Sequence, residues 1–155
     1  MVLLTGGILL YYYSSALAAP EKLYKQPTEP TTAEQKKLAA RGKQALAYCK
    51  KQGLSITICC LIDMDIPSGR NRFFVYNMAT DSIIYAGLVA HGSCNESFLS
   101  TPLFSNASGS GCSALGKYKI GYAYTGRFGK AFKLYGLDSS NSHAFNRNIV
   151  LHSYY

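Results

Sequence analysis

The sequence predicts a mainly β domain with one N-terminal α-helix, on three observations. From Ser55 onward apolar residues recur with period two. Only one stretch, 32–52, carries helix punctuation at both ends. The strand-like runs then follow one another without the strand and helix alternation that builds a parallel, doubly wound sheet. The chain has 155 residues, 48% hydrophobic and 15% charged, where a typical soluble domain carries about 25% charged residues. That suits one globular domain and excludes disorder as the main state. The 14 Gly and 13 Tyr point the same way, to a β-rich and turn-rich chain.

Residues 1–19 hold no charged side chain and close with Ala16-Leu17-Ala18-Ala19. They read as a secretory signal with an Ala-x-Ala cleavage site after Ala18, or, second, as an uncleaved N-terminal anchor. Residues 20–30, with Pro20, Pro27 and Pro30 among Glu, Lys and Thr, form an extended linker. The folded domain is expected over 31–155. Thr31-Thr32-Ala33-Glu34 is a capping box, and Lys50, Lys51 and Gly53 end the helix that it opens. Its apolar stripe of Leu38, Ala45, Leu46 and Cys49, with Gly42 between them, is narrow, so the helix is expected to lie against a sheet.

A strand follows over 55–64, with Ile56, Ile58, Cys60, Ile62 and Met64 on one face and Cys59 and Leu61 on the other. Runs at 72–78 and 82–90, separated by Thr80-Asp81, predict an antiparallel hairpin. The Gly-, Ser- and Asn-rich stretch 92–114 is a long excursion of the kind that is functional or mobile. Further strands are expected at 117–124, 131–137 and 148–152, the last leaving Ile149, Val150 and Leu151 on an edge with unpaired backbone groups.

Sixteen Lys and Arg against eight Asp and Glu give a formal net charge of +8, which draws the protein to polyanions or to an anionic envelope surface. The basic residues are scattered, and no compact stripe interleaved with exposed aromatics is legible, so no nucleic-acid partner is expected. Five cysteines, at 49, 59, 60, 94 and 112, are an odd number without metal-site spacing. Cys59 and Cys60 read as core fillers on opposite faces, whereas Cys94 and Cys112 could close a loop in an oxidising compartment. No metal or other cofactor is called for.

Two histidines end apolar runs: His91, followed by Gly92, and His152, followed by Ser153. A strand that delivers an imidazole to its rim beside a small residue is a sound way to hold a general base; a strand-end histidine satisfied by backbone carbonyls is the bland alternative. His143, in a polar run, reads as exposed.

The blocks 63–76, Gly87-Leu88-Val89-Ala90-His91-Gly92-Ser93, Ser113-Ala114-Leu115-Gly116-Lys117-Tyr118, Tyr135-Gly136-Leu137-Asp138 and Ile149-Val150-Leu151-His152-Ser153 together resemble the murein L,D-transpeptidase catalytic-domain family of the bacterial envelope. The resemblance spans about residues 32–155. It implies a β-sandwich or barrel in which a cysteine attacks the carbonyl of the third residue of a peptidoglycan stem peptide. The terminal D-amino acid leaves, and the acyl group passes to an amine. By the resemblance His152 is the general base and Ser153 the adjacent, orienting residue, while His91 and Gly92 are candidates for the substrate pocket or for the core.

In the family the nucleophile lies in a Ser-x-Gly-Cys-like motif after this histidine, and here only Ser153, Tyr154 and Tyr155 follow. The expectation is therefore a domain truncated before its catalytic cysteine, with its C-terminal part missing and no activity as it stands. Ser110-Gly111-Cys112 offers an upstream look-alike, with Cys112 as an unlikely substitute. The alternative is a non-catalytic peptidoglycan-binding envelope protein; a secreted protein glycosylated at Asn95 and Asn106 ranks last. On this reading the protein is exported to the periplasm or envelope and touches a membrane only through its N-terminus. The sequence sets no oligomeric state.

Overall fold

The computed structural model describes residues 2–5, 10–11 and 29–154. The expected leader and linker lie outside the described residues, apart from two short strands and residues 29–30. Helix α1, Thr32–Gln52, begins where Thr31 caps it: the Glu34 N–H donates to Thr31 Oγ1 at 3.3 Å, and the Thr31 N–H donates to Glu34 Oε2 at 2.7 Å. It ends where Gly53 takes the left-handed conformation, φ 62°, and returns its N–H to the Cys49 carbonyl. Leu38, Gly42, Ala45 and Cys49 form its buried face. Gly42 is required there by close approach, since a Cβ would stand 2.4 Å from the Tyr76 ring.

The strands are β1 (Val2–Thr5), β2 (Leu10–Tyr11), β3 (Ile58–Ile62), β4 (Phe73–Asn77), β5 (Ser82–Gly87), β6 (Leu115–Gly126), β7 (Gly129–Gly136) and β8 (Val150–Tyr154). The strands that the resemblance sets in a sandwich or barrel join here in one eight-stranded sheet, in the order β2-β8-β7-β6-β1-β3-β4-β5. β1 lies between β3, to which it is parallel, and β6, to which it is antiparallel. Alternation puts Cys59 and Leu61 under the helix with Phe74 and Tyr76. Cys60 and Ile62 join Phe73, Tyr118, Leu134 and Leu151 in the second core cluster, which Val89 and Ala144 complete from the loops. Ion pairs pin the helix: Lys37 bridges Asp63 and Asp65, each at 2.8 Å, and Arg70 reaches Glu34 at 2.9 Å.

Three expectations are corrected. The strand expected over 55–64 pairs only from Ile58, where its partner β4 ends at Asn77. The last strand starts at Val150 rather than 148, because Asn148 takes φ 57° and closes a turn with its N–H on the Phe145 carbonyl. The third concerns the exposed edge and missing C-terminal part expected there: β8 pairs with β7 through Val150, Leu151 and His152 and with β2 through Ser153 and Tyr154, so it is not the outermost strand of the sheet.

Candidate active site

His152 sits on β8 opposite Ala131 of β7. Its side chain is only 9% exposed, and the Phe128 ring from the β6–β7 turn lies over it, with centroids 4.9 Å apart and planes 11° from parallel. Nδ1 is 3.0 Å from the Ser153 carbonyl oxygen. A carbonyl only accepts, so in the neutral ring Nδ1 carries the proton and Nε2 keeps the lone pair. That is the tautomer a general base needs. Ser153 meets the ring through its backbone carbonyl, and its hydroxyl plays no part in this contact.

His91 is held differently. Arg72, 1% exposed, donates from Nη2 to His91 Nδ1 at 3.1 Å, while His91 Nε2 is 3.0 Å from the Leu99 carbonyl. A guanidinium only donates and a carbonyl only accepts, so both ring nitrogens are engaged and no lone pair is left for proton transfer. Arg72 also donates from Nε to the Val89 carbonyl at 2.8 Å and from Nη1 to the Ile66 carbonyl at 3.1 Å. His91 thus belongs to a structural network that ties the chain after β5 to the turn after β3. Gly92 is part of the same packing. Its N–H donates to Ser113 Oγ at 2.8 Å, and a Cβ there would lie 2.3 Å from the Gly111 carbonyl oxygen.

The excursion 92–114 is closed by the Cys94–Cys112 disulfide and by the Cys94 N–H on the Gly111 carbonyl. It is also fastened from outside. Arg147 donates to the Ser105 and Cys112 carbonyls and to Ser110 Oγ, and Asn106 donates to the Ser139 carbonyl and to Ser142 Oγ. His143 is exposed, with Nδ1 3.1 Å from the Asn106 carbonyl. The structure therefore gathers His91, Gly92 and Cys112 in one cluster and sets His152 and Ser153 in another, on β8.

Cys49, Cys59 and Cys60 are free and buried. Burial pushes the Cys59 thiol up to about 12 and the Cys60 thiol up to about 11, so both stay protonated. Among the described residues, no sulfur makes a hydrogen bond to His152. A cavity of about 450 Å³ lies between α1 and strands β3 and β6, lined by Lys37, Arg41, Leu61, Asp63, Lys117 and Asp138 among others; neither His91 nor His152 lines it.

Sequence reasoning missed Phe128 and Arg72. An arginine opening an apolar strand is a visible signal of a buried, carbonyl-bound cation. Phe128 has none, because only the curl of the hairpin brings it over His152.

Comparison with known families gives the class: residues 30–155 match the L,D-transpeptidase catalytic domain, and the chain belongs to that family, whose members act on the peptidoglycan of the bacterial cell wall. No curated protein and no solved structure matches it. The match overturns the expectation of a domain truncated before its catalytic cysteine. It runs over nearly the whole chain, and the inactive function deduced from truncation falls with it. The expectation that the nucleophile is lacking is corrected as well, because all five cysteines lie inside the matched residues. That expectation had tied the thiol to a position after His152.

Proposed function

We propose that this protein is an exported cysteine acyltransferase acting on peptidoglycan stem peptides, with Nε2 of His152 as its general base. The observation that carries the reading is the His152 tautomer: Nδ1–H is committed to the Ser153 carbonyl and the ring is shielded by Phe128. In the reaction a thiol proton passes to Nε2 as sulfur bonds to the acyl carbon, and the same proton leaves with the terminal D-amino acid as the C–N bond breaks. An acceptor amine then attacks the thioester and regenerates the thiol. The uncharged segment 1–19 and the net charge of +8, which favours an anionic envelope, support export. Among the described residues no helix is long and apolar enough to cross a membrane.

The test is to incubate the full chain, with and without a thiol reductant, with a tetrapeptide stem, and to follow D-amino acid release and the protein mass. A thioester on one of the five cysteines is expected, and His152→Ala should slow release by roughly 10²- to 10⁴-fold. No release under either condition, with no thioester on any cysteine, overturns the reading.

A further inference from the structure

We propose that the slot between β3 and β6, filled here by Val2–Thr5, is an acceptor site for an extended aliphatic peptide segment of another polypeptide, which takes the place of β1 in the sheet. β3 and β6 do not pair with each other; β1 stands between them, parallel to the first and antiparallel to the second. Neighbouring strands lie about 4.8 Å apart, so without β1 the two face each other across roughly 9–10 Å, each with a row of backbone N–H and C=O groups that need partners. An extended polypeptide matches two such rows at once, which a sugar, a lipid or a nucleic acid does not.

The slot is longer than the strand that fills it. Of the five residues of β3, β1 pairs with two, Val2 with Cys60 and Leu3 with Leu61. On β6 it pairs from Leu115 to Tyr118. Continued beyond Val2, the same two registers set Cys59 opposite Lys119 and Ile58 opposite Ile120, and Ile58 is 44% exposed. A donor of about six residues, an ordinary strand length, extends the ladder into that stretch. The added pairs are the surplus it needs against a strand tethered in the same chain at an effective concentration on the order of millimolar.

The walls of the slot set the pattern that the donor carries. With both registers continued, alternate positions lie between Ile58 and Ile120, between Cys60 and Tyr118, and between Ile62 and Gly116. Cys60, Ile62 and Tyr118 belong to the second core cluster, and Ile120 packs against it. Those positions take aliphatic side chains. On its other face the slot adjoins the cavity under α1, whose lining includes Leu61, Leu115 and Lys117, all partners of β1. Side chains on that face have room, and polar ones are tolerated beside Lys117. The donor is therefore aliphatic at its first, third and fifth residues, free of proline, and parallel to β3.

The experiment titrates the full chain into fluorescently labelled Val-Thr-Val-Leu-Leu-Thr, reading anisotropy, and follows hydrogen exchange on the saturated complex. The wild type should bind this peptide. A peptide with proline at its fourth residue, which loses a ladder donor, should bind roughly tenfold or more weakly, and so should one with Asn at its first, third and fifth residues, by roughly the same factor. One amide of the pair Ile58 and Cys59, and one of the pair Lys119 and Ile120, should gain protection, because successive residues of a strand direct their N–H groups to opposite edges. Leu3→Pro should unseat β1 and strengthen peptide binding by roughly tenfold or more; a thermal melt shows whether this variant folds, and if it does not, exchange on the wild type decides. Equal binding of the proline peptide, no binding to the wild type at millimolar peptide, or protection confined to β5 at the outer edge of the sheet overturns the proposal. So does a peptide-insensitive dimer formed by exchange of Val2–Thr5 between copies, which would make a second copy the occupant. No step depends on turnover or on His152, so failure here leaves the acyltransferase reading standing.

Discussion

The Phe128 ring and the His152 imidazole are stacked 4.9 Å apart, one contributed by the β6–β7 turn and the other by β8. The stack covers one face of the imidazole, while the Ser153 carbonyl fixes its Nδ1. Phe128→Ala removes the cover. It should cost about 1–2 kcal/mol, combining a partly exposed ring with its stacking contribution, and lower the melting temperature by roughly 2–8 °C. Imidazole NMR resonances should sharpen as the ring gains freedom. Unchanged resonances and melting would mean that the stack holds nothing.

Arg72 is a cation in the core whose charge is spread over two carbonyls and the His91 ring. Arg72→Ala leaves those acceptors without their donor in a site that excludes water and should destabilise the fold by about 3–5 kcal/mol in urea unfolding. Arg72→Lys should rescue little, because one ammonium on a flexible stem cannot reproduce the planar fork.

The cysteine arrangement is countable. Unfolded without reductant, the protein should yield three thiols, Cys49, Cys59 and Cys60, and five after reduction. In the native state Cys59 and Cys60 should resist alkylation at pH 8, where burial keeps both protonated. Rapid native labelling of either would contradict their place in the core. Opening the 18-residue Cys94–Cys112 loop should cost about 3 kcal/mol by loop-closure entropy, seen as a lower melting temperature in reductant.

Asp138 gives an acid-sensitive contribution. Burial raises its carboxyl, but the Lys117 ammonium and the Lys117 N–H, at 2.6 Å, outweigh burial, and its pKa falls below the usual value. A carboxyl with a lower pKa folded than unfolded binds fewer protons when folded. Its stabilisation is therefore full above the unfolded value, about 3.9, and is lost as pH falls through the folded one. Asp138→Asn should destabilise the protein at pH 6 and much less near pH 2. Equal losses at both pH values would remove the charge from the account.

What was legible in the sequence was local. The helix bounds came from Thr31, Glu34 and Gly53, whose hydrogen bonds span three or four residues, and strand alternation alone separated Cys59 from Cys60. The pairing of Cys94 with Cys112 was legible because an excursion returns on itself. What was not legible depends on distant segments meeting. No pattern in Val2–Thr5 announces partners at Cys60 and Tyr118. The left-handed Asn148 shifts a strand by two residues without changing its hydrophobic run. His91 and His152 look alike in sequence, each closing an apolar run before a small residue. Arg72 and Leu99 make the first structural, and no local signal placed those two residues beside it.

Strand β1 carries a consequence for timing. β3 and β6 are not neighbours, and in the sheet order the four residues Val2–Thr5 alone join the β3-β4-β5 half to the rest. Val2–Thr5 is thus the keystone of a sheet whose strands β7 and β8 lie far along the sequence. While those residues are held elsewhere, the two halves have no backbone bridge and meet only through the side chains of the second core cluster. Closure of the sheet then waits on contacts as distant in sequence as Val2 with Tyr118, and the fate of Val2–Thr5 decides when it happens.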